Sequence, residues 1–147
     1  MTRIESTVTI ARRPEEVFDY FLTLDENVPK TNPDVDWMVK TPDGPTQVGT
    51  ILRSRGKSLG RVRETTMRFT AIVPYERIQF EAEVGPMRPK CEFNFDPTDS
   101  GTKVTFRGDP NPVGAFKVLS PLFIRIGQHV WGERLARAKA TLETSPS

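Results

Sequence analysis

Along much of this chain apolar and polar residues alternate, and where the alternation stops a helical period takes over. Ile4, Val8 and Ile10 share a parity with Ser6, while Glu5, Thr7 and Thr9 hold the other. That is the period-two pattern of a half-buried strand. Pro14 suits the first position of a helix, Glu15 and Glu16 suit the positive end of its dipole, and Val17, Phe18, Phe21 and Leu22 recur at helical spacing. A short amphipathic helix is predicted from Pro14 to Leu24. Asp25 to Pro33 carries two prolines and two asparagines with little periodicity, which predicts a loop or an irregular helical turn. Strands then resume: Val35, Trp37 and Val39 alternate with polar positions, Asp43-Gly44 marks a turn, and Ile51 to Arg55 reads as a third strand. Lys57 to Gly60 is the expected hairpin tip, leading into a long strand from Arg61 to Val73 that ends at Pro74. Ile78, Phe80, Ala82 and Val84 alternate cleanly with Arg77, Gln79, Glu81 and Glu83. Cys91, Phe93 and Phe95 share a face of the following strand, and Asp99-Ser100-Gly101 turns into Val104 and Phe106. The strand total is about seven.

After Pro110 and Pro112 the period changes. Phe116, Leu119, Phe123, Ile126 and Val130 form one helical stripe, and Ile124, Trp131, Leu135, Ala138 and Leu142 form an adjoining one. A long helix therefore closes the chain, with Pro121 expected to interrupt or kink it near its start. Strand, short helix, about six strands and long helix is an α+β order, in which the sheet needs the long helix to cover one face. A strongly curved antiparallel sheet wrapped on one helix encloses a space. Whether side chains fill that space decides what the protein does. The long strand also poses a register problem, because Arg61 and Arg63 share the parity of Met67 and Phe69. Either a bulge intervenes or the cationic end lies outside the covered sheet.

Composition narrows the function classes. A length of 147 residues predicts a single domain over residues 1–147. Apolar residues at 36% and charged residues at 27% exclude a disordered chain. One cysteine, Cys91, allows no internal disulfide. With 21 Lys and Arg against 19 Asp and Glu, the net charge of +2 is too balanced to demand nucleic acid or a membrane as partner. The N-terminus shows no apolar h-region, and no apolar run approaches the length of a membrane span, so a reducing cytoplasm is the expected location. One His and one Cys offer no zinc-type ligand spacing. No Gly-rich phosphate loop or Gly-x-Ser-x-Gly elbow occurs, so neither a metal nor an organic cofactor is expected.

Several short motifs in order carry a family resemblance. Arg13-Pro14-Glu15-Glu16-Val17-Phe18-Asp19-Tyr20 after the first strand, Val48-Gly49-Thr50, Pro74-Tyr75-Glu76-Arg77-Ile78-Gln79-Phe80, Gly101-Thr102-Lys103-Val104-Thr105 and the closing Leu135 to Glu143 segment follow one another along nearly the whole chain. Together they resemble the Bet v 1-like superfamily known as SRPBCC, which includes polyketide cyclase/dehydrase-like and START-type lipid-binding proteins. One departure is Thr31 in Lys30-Thr31-Asn32-Pro33, where many relatives carry Trp. The resemblance implies a helix-grip fold with a hydrophobic cavity between the curved sheet and the last helix, holding lipids, sterols, polyketides or other aromatic molecules. It does not imply one reaction, since binding proteins and enzymes share the fold.

Parity and that implied cavity nominate Trp37, Leu52, Phe69, Phe80, Ala82, Phe93 and Phe106 from the sheet, with Phe123, Ile126 and Val130 from the helix. The competing reading is a filled core of the same residues. His129, the only histidine, is a candidate proton carrier with Glu133 one turn on, against a surface or packing role. Tyr20, Glu64 and Arg68 are candidate polar cavity groups, and Cys91 reads as a small buried apolar group. Arg53, Arg55, Lys57, Arg61, Arg63 and Arg68 make a basic hairpin over residues 53–68, read as a solvated edge ribbon or as a surface for an acidic partner, membrane phosphates or RNA. The leading expectation is binding of a small hydrophobic or aromatic molecule by a monomer or homodimer, without nucleic acid or stable membrane insertion. A cyclase or dehydratase moving protons in the cavity is the alternative, and an interaction protein using the basic hairpin is a third.

Overall fold

A computed structural model describes residues 4–58 and 60–144. Seven strands, β1 (Ile4–Ile10), β2 (Val35–Thr41), β3 (Ile51–Ser58), β4 (Arg61–Val73), β5 (Arg77–Glu83), β6 (Lys90–Thr98) and β7 (Gly101–Asp109), form one antiparallel sheet. Their spatial order is β1-β7-β6-β5-β4-β3-β2, so β1 and β2, consecutive in the chain, stand at opposite edges of the sheet and are joined by a long connection, while β1 pairs with the last strand, β7. Helices α1 (Pro14–Leu22) and α2 (Leu24–Thr31) lie in that connection, and a 3-10 helix (Gly114–Leu119) leads into α3 (Ser120–Thr144). This is the α+β arrangement that the alternation and the two helical stripes predict, and the helix-grip fold that the family resemblance implies. Among the described residues no helix is long and apolar enough to cross a membrane.

Three details refine the expectations. Leu24 to Thr31 is helical despite Pro29, because Asp25 and Glu26 sit in the first turn and Asn27 Nδ2 donates to the Tyr20 carbonyl and to Thr23 Oγ1. Pro121 stands where the helical segment is interrupted: it falls in the first turn of α3, where the missing N–H costs no helical hydrogen bond, and marks the change from 3-10 to α geometry. The hairpin expected over Lys57 to Gly60 joins β3 to β4, with Gly60 at φ +78°, while Leu59 lies outside the described residues.

The long helix is fixed to the sheet along one edge. The Glu5 N–H donates to Gln128 Oε1 at 3.3 Å and the Gln128 amide donates back to the Glu5 carbonyl. Further on, Lys139 Nζ donates to the Thr9 carbonyl at 2.7 Å, and the Ala11 N–H donates to Glu143 Oε2 at 2.9 Å. An edge strand presents unpaired backbone groups, and here side chains of α3 take them. Residues 128–143 rise about 22 Å along a helix and residues 5–11 about 20 Å along a strand, so α3 runs alongside β1 in the same direction. Gly127 permits the close approach, since a Cβ there would meet Ile4 Cδ1.

Glu143 is the end clamp of this seam, and two donors, Lys139 Nζ and the Ala11 N–H, hold its carboxyl below the usual carboxylate range. A depressed carboxyl pKa contributes stability above the unfolded-state value of 4.5 that disappears as pH falls through the folded value. Glu143→Gln is therefore expected to lower the melting temperature at neutral pH, with the gap to the parent closing as the pH is taken below that range. Thermal melts of both proteins across acidic pH check this, and a gap that stays constant would refute it.

Candidate functional site

The two stripes of α3 have different fates. Leu135 and Ala138 are buried, and Ile124, Trp131 and Leu142 pack against the same core. Phe123, Ile126 and Val130 instead border a hollow of about 780 Å³. The geometry follows from the seam with β1: a helix tied to one edge of a twisted sheet covers the near strands and stands off from the far ones. The hollow falls within the usual size range of small-molecule sites.

Leu52, Phe80, Ala82, Phe93 and Phe106 line it from the sheet, facing those three helix residues, and Tyr20 reaches it from α1. Phe80 and Phe93 pack with ring centroids 5.7 Å apart, yet the space beside them stays open. Four nominated residues lie elsewhere. Trp37 points outward because β2 shifts register between Val35 and Trp37, which puts Val35 and Met38 on the hollow and leaves Trp37 38% exposed. Phe69 is buried at the closed end of the core, where its backbone bonds to Gly49 and Thr50. Glu64 and Arg68 occupy the opposite parity of β4 from Met67 and face outward, Arg68 pairing with Glu81 at 3.3 Å.

The register problem of β4 is also resolved. Its bulge lies between Phe69 and Ala71, beyond the basic stretch, so Arg61, Arg63, Thr65 and Met67 do share one face and all four line the hollow. The basic hairpin thus reaches the hollow: Arg55, Lys57, Arg61 and Arg63 all border it, Arg55 also pairing with Asp36 at 3.9 Å and Arg61 and Arg63 standing at its outer end. His129 sits on the rim, its Nε2 3.2 Å from Glu133 Oε1, with both side chains about 70% exposed. Water reaches that pair freely.

Deeper in, Trp131 stacks on Phe106 with centroids 3.9 Å apart and planes 13° from parallel, and the Arg134 guanidinium lies over the Trp131 ring at 4.7 Å. Arg134 lines the hollow and is exposed to solvent there. Desolvation by the walls of the hollow lowers its pKa, opposed by the nearby Cys91, yet a guanidinium keeps its proton at any physiological pH. Burial likewise pushes the Cys91 thiol up to about 12, with Arg134 acting against the shift and Asp109 adding to it. Cys91 therefore lines the hollow as a neutral thiol. Lining charges are Arg55, Lys57, Arg61, Arg63, Arg134 and Arg137 against Asp34, Asp109 and Glu133, a surplus of three cations where the whole chain has a surplus of two. Among the described residues no three His, Cys, Asp or Glu come together as a metal site.

A sheet gripping one helix around an apolar hollow is the setting in which comparison with known proteins becomes informative. The family model described as polyketide cyclase / dehydrase and lipid transport matches residues 1–143. The chain belongs to that family. Solved structures share its fold at low identity. Ara h 8.0201 superposes with a TM-score of 0.75 at 18% identity, covering 95% of this chain and 93% of its own. TTHA0849 from Thermus thermophilus gives 0.75 at 16%, covering 97% and 99%. BexL, a di-domain ARO/CYC from the BE-7585A biosynthetic pathway, gives 0.77 at 19%, with 97% of this chain matching 50% of that one. No curated protein sequence matches. For this member of the polyketide cyclase/dehydrase and lipid transport family, pattern reading missed Met38, Met67, Trp131 and Arg134 at the hollow. Arg134 had a legible signal, because it lies four residues after Val130 on the apolar stripe.

Proposed function

We propose that this protein holds a small hydrophobic or aromatic molecule in the hollow between its sheet and α3. The observation that carries the reading is the open volume of about 780 Å³ walled by Phe80, Phe93, Phe106, Phe123, Ile126 and Val130. Each 100 Å² of apolar ligand surface taken from water into such walls contributes about 2.5 kcal/mol before the costs of association. The interior polar groups favour holding a molecule over moving its protons, since the Cys91 thiol and the Arg134 guanidinium both keep their protons at neutral pH.

N-phenyl-1-naphthylamine, an uncharged dye whose emission rises in apolar surroundings, tests the reading. The protein is expected to give a saturable increase. Met67→Trp, which sets a large ring where a flexible side chain borders the hollow, is expected to weaken dye binding by about tenfold or more while circular dichroism stays that of the parent. No saturable signal from the folded parent, or equal binding by the variant, would remove the proposal.

A further inference from the structure

Among the charged side chains that line the hollow, Arg134 stands beside its aromatic wall, exposed to solvent. A molecule that fills the hollow and covers this guanidinium takes it out of water, which is unfavourable unless an anion or hydrogen-bond acceptors come with it. Among the described residues, Arg134 has neither a carboxylate within 4.0 Å nor a hydrogen bond, and its guanidinium lies over the face of Trp131. The nearby carboxylates are engaged elsewhere: Glu133 with His129, and Asp109, whose Oδ1 accepts the Asn111 N–H at 2.9 Å. Stacking on Trp131 fixes the plane of the guanidinium and leaves its N–H edge free, the geometry that receives a carboxylate through two parallel hydrogen bonds.

Building on the binding reading above, we propose that the hollow takes an amphipathic carboxylate, its charged group received by Arg134 and its apolar body lying against Phe80, Phe93 and Phe106. Arg61 and Arg63 at the outer end supply a positive field that draws such an anion inward. A neutral body of the same shape gains the apolar walls but leaves the guanidinium without a partner. Selectivity for the acid over its uncharged counterpart is the consequence.

Displacement of N-phenyl-1-naphthylamine tests this with two matched pairs, dodecanoate against dodecanol and 2-naphthoate against 2-naphthamide, at a mildly alkaline pH that keeps both acids ionised. In the parent, the acid of at least one pair is expected to displace the dye at about tenfold lower concentration than its neutral counterpart. Which pair responds tells an aliphatic body from a flat aromatic one. Arg134→Gln is expected to bring acid and neutral members to within about twofold of each other without changing the potency of the neutral members, and Arg134→Lys to keep part of the preference. Equal displacement by acid and neutral compounds in the parent, or an acid preference that survives in Arg134→Gln, overturns the role of Arg134 while the hollow itself stands. A dye that never binds overturns both readings.

Discussion

Phe93→Ala is expected to lower the free energy of unfolding by about 3–5 kcal/mol. The Phe93 ring lies within reach of five others: Phe21 at 4.6 Å, Phe106 at 5.5 Å, Phe80 at 5.7 Å, Trp131 at 5.8 Å and Phe95 at 6.4 Å between centroids. Those partners come from α1, α3, the two neighbouring strands β5 and β7 and its own strand β6, so one side chain joins the elements that close the fold. Truncation removes ring burial and edge contacts together, and partners anchored on separate elements cannot all move in to fill the space. A urea titration should show a lower midpoint at unchanged slope. A loss below about 1 kcal/mol would mean that the aromatic cluster does not hold the sheet to its helices.

The second large effect compares the two stripes of α3. Leu135, 1% exposed in the shared core, is expected to cost about 2–5 kcal/mol on truncation to alanine. Ile126 is about as large and sits on the same helix, but it is half-buried on the hollow, so one side already lacks packed neighbours. Its truncation is expected to cost only about 1 kcal/mol or less, because it opens no new void in a packed region. Its loss should appear instead in weaker binding of N-phenyl-1-naphthylamine. Equal destabilisation by the two variants would show that the hollow closes up in solution. Measured together, the pair separates residues that hold the fold from residues that serve its interior.

How much of the site could be read from the chain varies from element to element. The α3 stripes were visible as two sets of positions at helical spacing, and Phe80, Ala82, Phe93 and Phe106 emerged from clean alternation in strands without bulges at those points. Trp37 was misplaced because one register shift reverses parity for everything after it, and Met38 took the inward place. Phe69 has the correct face but the wrong depth, since alternation carries no information about where along a strand the packed core ends and the hollow begins. Glu64 and Arg68 were nominated by chemistry against their own parity, and the sheet put them outside.

The sequence by itself determined the elements, their order, and which residues share a face, because backbone periods of two and 3.6 are local properties of the chain. Only the tertiary structure decided that the stripe of Leu135 meets the core while that of Ile126 meets open space. It also turned Trp131 and Arg134, neighbours on one helix, towards the hollow and set Arg61 and Arg63 at its outer end. The physical reason is that the seam between α3 and the edge of β1, bonded from Glu5 to Ala11, sets where the helix stands over a twisted sheet. Those bonds join residues more than 120 positions apart, beyond the reach of any local pattern.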